Sequence, residues 1–282
     1  MRLRLPSFSS PARRGASPAQ RAAFSLLEVM VAVSLLAVII IGLLAMFFQV
    51  QRAFRAGTAQ SDLMEHGRAV MTLLTRELQE VAASRYPGVT NLAIIPADGL
   101  PEGRPSSSQE LPGSEFRDNY LKDLTFLSRQ NDDWIFTSYR ISNAVSGVGT
   151  LYRLTDRQAT NNPFFLHNGL RWATPVNNTN FHRVVEGVVH FYVEAYDSKG
   201  LVLSNALAGA YLGNYFCTNA VVPAYLDIEL GVLDPSSYER FKARAEADAS
   251  TARDQYLSKR AGRVQMFRQR VVLRAPASEG DY

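Results

Sequence analysis

The longest hydrophobic stretch of the chain lies near its N-terminus. Residues 24–48 read FSLLEVMVAVSLLAVIIIGLLAMFF and are apolar on every side except for two serines, one glycine and Glu28. A helix that is apolar all round is buried in a large core or in a membrane. At 1.5 Å per residue this helix is about 37 Å long, more than the roughly 30 Å of a bilayer hydrocarbon core. We therefore predict a transmembrane helix over residues 24–50.

A second helical pattern follows the apolar stretch. Apolar side chains recur at spacings of seven, three, four and three residues, at Met64, Met71, Leu74, Leu78 and Val81. Charged side chains occupy the other side, at Arg68, Arg76, Glu77 and Glu80. This amphipathic spacing predicts a helical spine over residues 51–86, ended by Pro87-Gly88, whose apolar stripe packs against a sheet. Gly57 and Gly67 are expected to bend it.

The rest of the pattern predicts loops and short strands. Residues 87–118 are rich in Pro, Gly, Ser and Glu and predict a long exposed loop. Apolar or alternating runs then predict strands over residues 124–128, 134–141, 150–154, 181–196, 201–203, 225–232 and 264–274. In the strand over residues 181–196, Val189, Phe191, Val193 and Ala195 are expected on one face. The fold class is α+β, with a long N-terminal transmembrane and spine helix packed on an antiparallel β-sheet head over residues 119–275.

A polar, alanine-rich insertion interrupts the strands over residues 234–262. Ser236-x-x-Glu239, after Pro235, predicts the start of a helix there. Because the segment is dominated by Arg, Lys, Glu and Asp, we expect this helix to be solvated. Residues 276–282 are predicted to form a tail.

The charge distribution changes the interpretation of the N-terminus. The chain has 30 Lys+Arg and 26 Asp+Glu, a net charge of +4, and a pI near 9.2, which suggests nucleic acid or an anionic membrane as a partner. Five arginines lie in residues 1–23, where there is no acid, at Arg2, Arg4, Arg13, Arg14 and Arg21. The remaining chain has 25 basic and 26 acidic residues, a net charge of −1. The positive-inside rule therefore predicts a cytoplasmic leader and an exported body, and nucleic acid is not the first predicted partner.

Glu28 is the exceptional residue of the apolar stretch. A charge in a transmembrane helix costs on the order of 2.5 to 3.5 kcal/mol at the bilayer centre and less near the ends, so its default interpretation is functional. The run Ala23-Phe24-Ser25-Leu26-Leu27-Glu28-Val29 resembles the class III signal of type IV pilins and type II secretion pseudopilins. The resemblance implies that a prepilin peptidase cuts between Ala23 and Phe24 and methylates the new N-terminus at Phe24. Its recognition positions are Ser25, Leu26, Leu27 and Val29, and Glu28 is the assembly carboxylate. Ala23 departs from the glycine that the family prefers before the cut.

Later segments carry a weaker resemblance within the same family. The runs Gly67 to Val81 and Val184 to Val193 are similar to J-type minor pseudopilins. This resemblance implies a non-catalytic subunit at or near the tip of a type II secretion pseudopilus or pilus-like filament, supporting protein secretion. Its implied partners are I- and K-type minor pseudopilins, the major pseudopilin, the inner-membrane assembly platform and inner-membrane lipid. The implied location is the bacterial inner membrane, with a periplasmic head.

One segment resembles another group. The strand Ala224 to Leu230 followed by the insertion is similar to the pilin-like cassette proteins of verrucomicrobial genomes.

Enzyme chemistry has little support in the sequence. The single cysteine, Cys217, excludes an internal disulfide and multi-cysteine metal sites, and beside Tyr215 and Phe216 it is expected to be a buried thiol. The chain has four histidines, His66, His167, His182 and His190. His182 and His190 could share a face of the strand over residues 181–196, but Gly187 lies between them and no cysteine or paired carboxylate is near, so we expect neither a metal nor a cofactor. Asp227 and Glu229 project from the same face of a predicted strand, at the spacing of a catalytic carboxylate pair. Such a pair is more commonly the exposed, charged face of a strand whose other face is buried.

Two alternatives remain open. One is a minor pilin with an adhesive or DNA-uptake role, which needs an exposed aromatic or basic patch on the head, with Trp134 and Trp172 as candidates. The other is a signal-anchored periplasmic enzyme that keeps residues 1–23. An ordinary cleavable signal peptide is disfavoured, because the small residues Ala22 and Ala23 precede the apolar stretch and do not follow it.

Overall fold

The computed structural model describes residues 25–98, 100, 104–144, 147–159, 162–164, 166, 179–203, 215–218, 222–245 and 255–273. The predicted leader (residues 1–23), the predicted tail (residues 276–282), Phe24 and the middle of the insertion lie outside the described residues. The chain divides between Arg55 and Ala56 into two units.

One long helix, α1, runs from Leu26 to Leu78. Its buried face lies wholly in the second unit and consists of Leu63, Gly67, Val70, Met71, Leu74 and Leu78. The predicted stripe is therefore confirmed at Met71, Leu74 and Leu78, while Met64 is half-buried. These side chains join the largest hydrophobic core of the head, so helix and sheet bury their apolar faces against each other.

The helix ends at Leu78 and not at residue 86 as predicted. The N–H of Val81 donates to the carbonyl of Leu78 at 3.2 Å in a tighter final turn. Val81 then forms an isolated bridge with Ser128, and the N–H of Ala82 donates to the carbonyl of Leu127 at 3.0 Å. The helix stops here because the backbone groups of residues 81 and 82, which another helical turn would use, bond instead to strand residues 127 and 128.

An antiparallel sheet forms most of the head. The strands are β1 (Thr90–Pro96), β2 (Ser107–Glu110), β3 (Phe116–Asn119), β4 (Lys122–Gln130), β5 (Asp133–Ser142), β6 (Gly149–Gln158), β7 (His182–Tyr196), β8 (Val202–Leu203), β9 (Tyr215–Thr218), β10 (Tyr225–Leu233) and β11 (Val264–Val272). Among the described residues the main sheet has the order β11-β10-β7-β6-β5-β4-β1-β9, with β8 beside β7, and β2 pairs separately with β3. A long N-terminal helix followed by an antiparallel head is the predicted α+β, pilin-like architecture, which is confirmed.

β7 confirms the predicted alternation except at one residue. Phe191, Val193 and Ala195 face the main core. Gly231 of β10 pairs with His190, but the next residue, Val232, pairs with Val188. This bulge leaves Val189 without an opposite residue and turns it to the other face, where it packs in a separate cluster with Phe241.

The sequence pattern did not predict β1, β2, β3 or β9, and β1 is the most deeply buried of these four strands. It lies between β4 and β9, inside the segment expected to be an exposed loop, and Leu92, Ala93 and Ile94 are fully buried. Both faces of this strand are covered, so its residues form an apolar run with no alternation. The Pro and Gly residues on either side hid that short run.

A helix lies in the predicted insertion, but it starts differently. This helix, α2, spans Pro235–Ala245. Asp234 Oδ1 accepts the N–H of Ser237 at 3.0 Å and the hydroxyl of Ser236 at 2.6 Å. Asp234 is therefore the N-cap, and the capping box predicted from Ser236 and Glu239 is wrong.

One face of α2 is buried, contrary to the expected solvated helix. Phe241 is 3% exposed and packs with Tyr256, Leu257 and Leu233 on the face of the sheet that lies away from α1. The polar composition of the segment concealed this small apolar face.

Candidate functional site

The first turn of α1 places Glu28 at the third helical position. The carbonyl of Ser25 accepts the N–H groups of Glu28 (2.9 Å) and Val29 (3.2 Å), so Ser25 occupies the N-cap position and Leu26 begins the helix. The first N–H groups of a helix carry partial positive charge, so an acid in this turn gains about 0.3–1 kcal/mol. The helix start is therefore a favourable position for an acidic residue.

The side chains around Glu28 are exposed in the single chain. The recognition positions Leu26, Leu27 and Val29 are 79%, 73% and 51% exposed. Within the described residues, α1 is the one helix long and apolar enough to cross a membrane, and its apolar part is exposed along its whole length. An apolar surface of this kind needs lipid or other helices to cover it.

Glu28 is the single charge of this surface. It is the only charged residue among residues 24–51, and the next cation along the chain, Arg52, is about 36 Å further along a helix. No cationic side chain in the described part of the chain pairs with Glu28. Ala23 and Phe24, the predicted cleavage and methylation positions, lie outside the described residues.

Glu77 carries out a role in the head that sequence reasoning missed. The helical spacing puts Glu77 on the side opposite the apolar stripe. In the structure its carboxylate accepts a hydrogen bond from the hydroxyl of Tyr139 at 2.6 Å and two hydrogen bonds from the guanidinium of Arg153, at 2.6 and 3.1 Å. The side chain of Glu77 is only 12% exposed. Burial, followed by the bond to Glu77, raises the pKa of Tyr139. This charged cluster ties α1 to β5 and β6.

Gly67 has a packing role that the sequence pattern did not predict. A Cβ atom on Gly67 would lie 2.1 Å from Cζ of Phe267 on β11. The absence of a side chain therefore lets the helix approach the ring directly. Gly57, the other glycine of this helical segment, has nothing within 4 Å of the same position.

Polar groups gather around His190 on the face of the sheet away from α1. Its Nδ1 accepts the N–H of Tyr120 at 3.2 Å, and its Nε2 lies 3.3 Å from Oε2 of Glu229 without the geometry of a hydrogen bond. Burial, then the positive charge of Arg117, lowers the pKa of His190 to about 4. Burial also lowers the pKa of Lys122 to about 8. These groups support a neutral imidazole and indicate structure more than acid–base chemistry.

A buried ion pair lies inside the sheet. Asp123 Oδ1 accepts the N–H of Ile141 at 2.9 Å, and Oδ2 lies 3.3 Å from Nη1 of Arg140. Both side chains are at most 4% exposed. Burial raises the pKa of Asp123 to about 7, although Arg140 and the Ile141 N–H oppose the shift. The pair is closed off from ligands.

The histidines and the single cysteine show no metal-site arrangement. His66 and His182 are exposed, and His167 lies outside the described residues. In the described part of the chain, no three His, Cys, Asp or Glu residues are grouped to hold a metal ion. Cys217 is 2% exposed, as expected of a buried thiol, and burial raises its pKa to about 11.

The paired carboxylates of β10 are engaged with β11. Asp227 accepts two bonds from Arg270, both at 2.7 Å, and Glu229 lies 3.1 Å from Nε of Arg268. They are cross-strand ion pairs, as expected of alternating charges on a one-sided strand. Trp134, a candidate for an exposed aromatic patch, is 6% exposed and belongs to a core cluster, and Trp172 lies outside the described residues.

Comparison with known proteins bears on the N-terminal segment. Residues 18–44 match the family model described as the prokaryotic N-terminal methylation motif. A comparison with curated proteins finds no match. The matched residues include the start of α1 and none of the head, so they support a type IV pilin-like or pseudopilin protein without distinguishing between the two. The chain thus combines a prepilin-type methylation motif with an α+β pilin-like fold.

Proposed function

We propose that the chain is a minor pseudopilin, similar to the J-type, that assembles at or near the tip of a type II secretion pseudopilus or a related pilus-like filament. Prepilin peptidase cuts between Ala23 and Phe24 and methylates Phe24. The head is then periplasmic, and the role is structural and not catalytic. The observation that carries the proposal is a single carboxylate, Glu28, in the first turn of α1, where the stretch of the helix inside the matched methylation motif is otherwise without charge.

The geometry of the first helical turn supports a role for Glu28 in assembly. Cleavage before Phe24 creates an α-ammonium group one helical turn from this carboxylate. When the helix enters a filament, Glu28 pairs with the Phe24 amine of a neighbouring subunit, where an unpaired charge is expensive. This pairing also accounts for the lack of an intrachain partner among the described residues.

The size of the head supports a place at the filament tip. The second unit begins at Ala56 and carries the whole described sheet together with α2. A head of this size is easier to accommodate at a tip than in every turn of a filament. The proposed neighbours are I- and K-type minor pseudopilins and the major pseudopilin, and the proposed membrane partners are the assembly platform and inner-membrane lipid.

Mass spectrometry of the mature N-terminus tests the processing step. We expect N-methylated phenylalanine at Phe24 when the chain is expressed with a prepilin peptidase. An intact Met1 under those conditions defeats the proposal and favours a signal-anchored protein that keeps its leader.

Substitution of Glu28 tests the assembly step separately. Glu28→Leu and Glu28→Val should be cleaved and methylated normally but should enter filaments at a small fraction of the wild-type level. Glu65→Ala is the matched control, because it removes an exposed acid from the same helix outside the apolar stretch. Wild-type incorporation of the Glu28 variants contradicts the assigned role. Crosslinking to I- and K-type subunits then distinguishes a secretion tip from an adhesive pilin.

A further inference from the structure

Strand β11 lies at an end of the main sheet and is nine residues long. Within the described residues it pairs only with β10. The strand at the opposite end, β9, has four residues. An exposed edge of this length presents a row of unpaired backbone groups that can accept another strand.

The hydrogen-bond register shows which backbone groups of β11 point outward. The N–H of Asp234 donates to the carbonyl of Arg263, and the N–H of Leu273 donates to the carbonyl of Ala224, both at 3.0 Å. In an antiparallel ladder, residues alternate between pointing toward the partner and away from it. The residues of β11 that direct their N–H and C=O groups away from β10 are therefore Val264, Met266, Arg268, Arg270 and Val272. The N–H of Val264 already donates to the carbonyl of Ala261, so the outward donors left for another strand are those of the other four residues. The carbonyl of Met266 receives one long bond, 3.4 Å, from its neighbour Gln265.

A groove runs along this edge beneath α1. It encloses roughly 470 Å³ and is lined by helix residues, including Met64, Arg68 and Met71, and by strand residues 265–269. Gly67 brings the helix into contact with Phe267, so the helix forms one wall of the groove at the sheet edge. An added strand therefore finds both backbone partners and an apolar surface to cover.

The charges along the groove are positive. The side chain of Arg268 is 68% exposed and uses only its Nε atom in its ion pair with Glu229. Arg68 is exposed and has no carboxylate partner in the described part of the chain. β11 itself contains arginines and no acid. A second copy of β11 would set like charges opposite each other, which disfavours self-pairing.

The existing partner of β11 shows the chemistry that fits. β10 alternates apolar residues, which face the core, with Asp227 and Glu229, which pair with arginines of β11 on the other face. We propose that the free edge of β11 binds an extended segment of another subunit in which acidic and apolar residues alternate. The apolar side chains of that segment pack under α1, and its acids lie beside Arg268. This interaction does not depend on the processing of the N-terminus.

A synthetic peptide tests the proposal directly. The full-length chain in nonionic detergent micelles is titrated with a fluorescent nine-residue peptide of alternating valine and glutamate, and with its lysine counterpart. Because electrostatic complementarity selects the partner, the glutamate peptide should bind at least about tenfold more tightly than the lysine peptide. Equal affinity, or no binding of the glutamate peptide, overturns the proposal.

Substitutions on β11 locate the binding site. Met266→Pro removes an outward N–H without removing a bond to β10 and should abolish binding, while Met266→Leu keeps that N–H and should bind normally. Arg268→Gln should weaken binding several-fold, while Arg157→Gln, which removes an exposed arginine of β6, should leave it unchanged. If Met266→Pro binds like Met266→Leu, the edge is not the site.

Amide hydrogen exchange of the unaltered chain gives a readout that needs no substitution. Binding of the glutamate peptide should slow exchange at least about tenfold at the four outward residues of β11 whose N–H groups are free for another strand, Met266, Arg268, Arg270 and Val272. The inward residues Gln265, Phe267 and Gln269, already bonded to β10, should change little. Protection confined to another strand contradicts the proposal.

Discussion

Removal of the Glu77 carboxylate should weaken the attachment of α1 to the sheet and lower the free energy of unfolding by a measurable amount. Glu77→Ala leaves the buried hydroxyl of Tyr139 without its acceptor and the guanidinium of Arg153 without its counterion. An unsatisfied buried hydroxyl costs about 1–3 kcal/mol. Breaking a buried ion pair costs about 3–5 kcal/mol, and Arg153, whose side chain is 26% exposed, recovers part of that through water. We expect a total loss of about 3 kcal/mol in the free energy of unfolding.

Urea unfolding of the full-length chain in detergent micelles measures this loss. The fluorescence of Trp134, which is 6% exposed, reports on the core of the head. The urea dependence is about 1–3 kcal/mol per molar for small proteins and larger for a head of this size, so the midpoint should fall by about 1 M or slightly less. Glu65→Ala, an exposed acid on the same helix, is the control and should stay within about 0.5 kcal/mol of wild type.

A double-mutant cycle separates the ion pair from the loss of the side chain. Glu77→Ala, Arg153→Ala and the double variant should give a coupling energy of about 1–3 kcal/mol, because the two groups share two hydrogen bonds. The reasoning is refuted if that coupling is below about 0.5 kcal/mol, or if Glu77→Ala unfolds at the same urea concentration as Glu65→Ala.

Two further predictions concern packing and pH. Gly67→Ala should destabilise the head by about 1–3 kcal/mol because its Cβ overlaps the ring of Phe267. Gly57→Ala should stabilise α1 by about 0.5–1 kcal/mol, because a Cβ atom there meets nothing within 4 Å. Equal urea midpoints for Gly67→Ala and Gly57→Ala contradict both predictions. The pKa of His190 is lowered to about 4, so the unfolded chain binds a proton there more readily, and the free energy of unfolding should fall by about 3 kcal/mol as pH falls from 6.5 to 4. The pKa of Asp123 is raised to about 7, so the folded chain binds a proton there more readily, and this residue should add a similar amount to the free energy of unfolding as pH falls from 7 to 4. Because His190→Gln lacks the imidazole, its free energy of unfolding should increase relative to that of wild type as pH falls from 6.5 to 4. If the difference between the two proteins does not change with pH, the lowered pKa of His190 is wrong.

Local patterns were sufficient to predict the elements that bury one face. β7 and β10 could be predicted because apolar residues alternate with polar ones over a one-sided strand. The apolar part of α1 could be predicted because an uninterrupted apolar run of that length is typical of a membrane-spanning helix. β1 could not, since a short strand buried on both faces has no periodicity to separate it from a loop.

Long-range partners account for the other differences. Glu77 was assigned to the solvated side because helical spacing gives its direction but not its neighbours, and Arg153 is 76 residues further along the chain. The packing role of Gly67 could not be predicted because its contact, Phe267, lies on the last described strand, about two hundred residues further along the chain. The sequence alone contains no local sign of either pairing, and only the folded sheet brings these residues together.

If Glu28 has the proposed assembly role, the contrast with its apolar surroundings explains how one carboxylate sets the arrangement of whole subunits. Residues 25–50 expose an apolar surface on all sides, and burying each large side chain contributes roughly 1.5–3 kcal/mol in almost any orientation. Such contacts drive helices together without selecting how far one slides along another. In the proposed assembly, a misplaced subunit leaves Glu28 unpaired among apolar side chains. The cost reaches about 2.5 to 3.5 kcal/mol at the bilayer centre and is smaller near the end of the helix, where Glu28 lies. Since each 1.4 kcal/mol is a factor of ten, correct alignment is favoured by up to about a hundredfold per subunit.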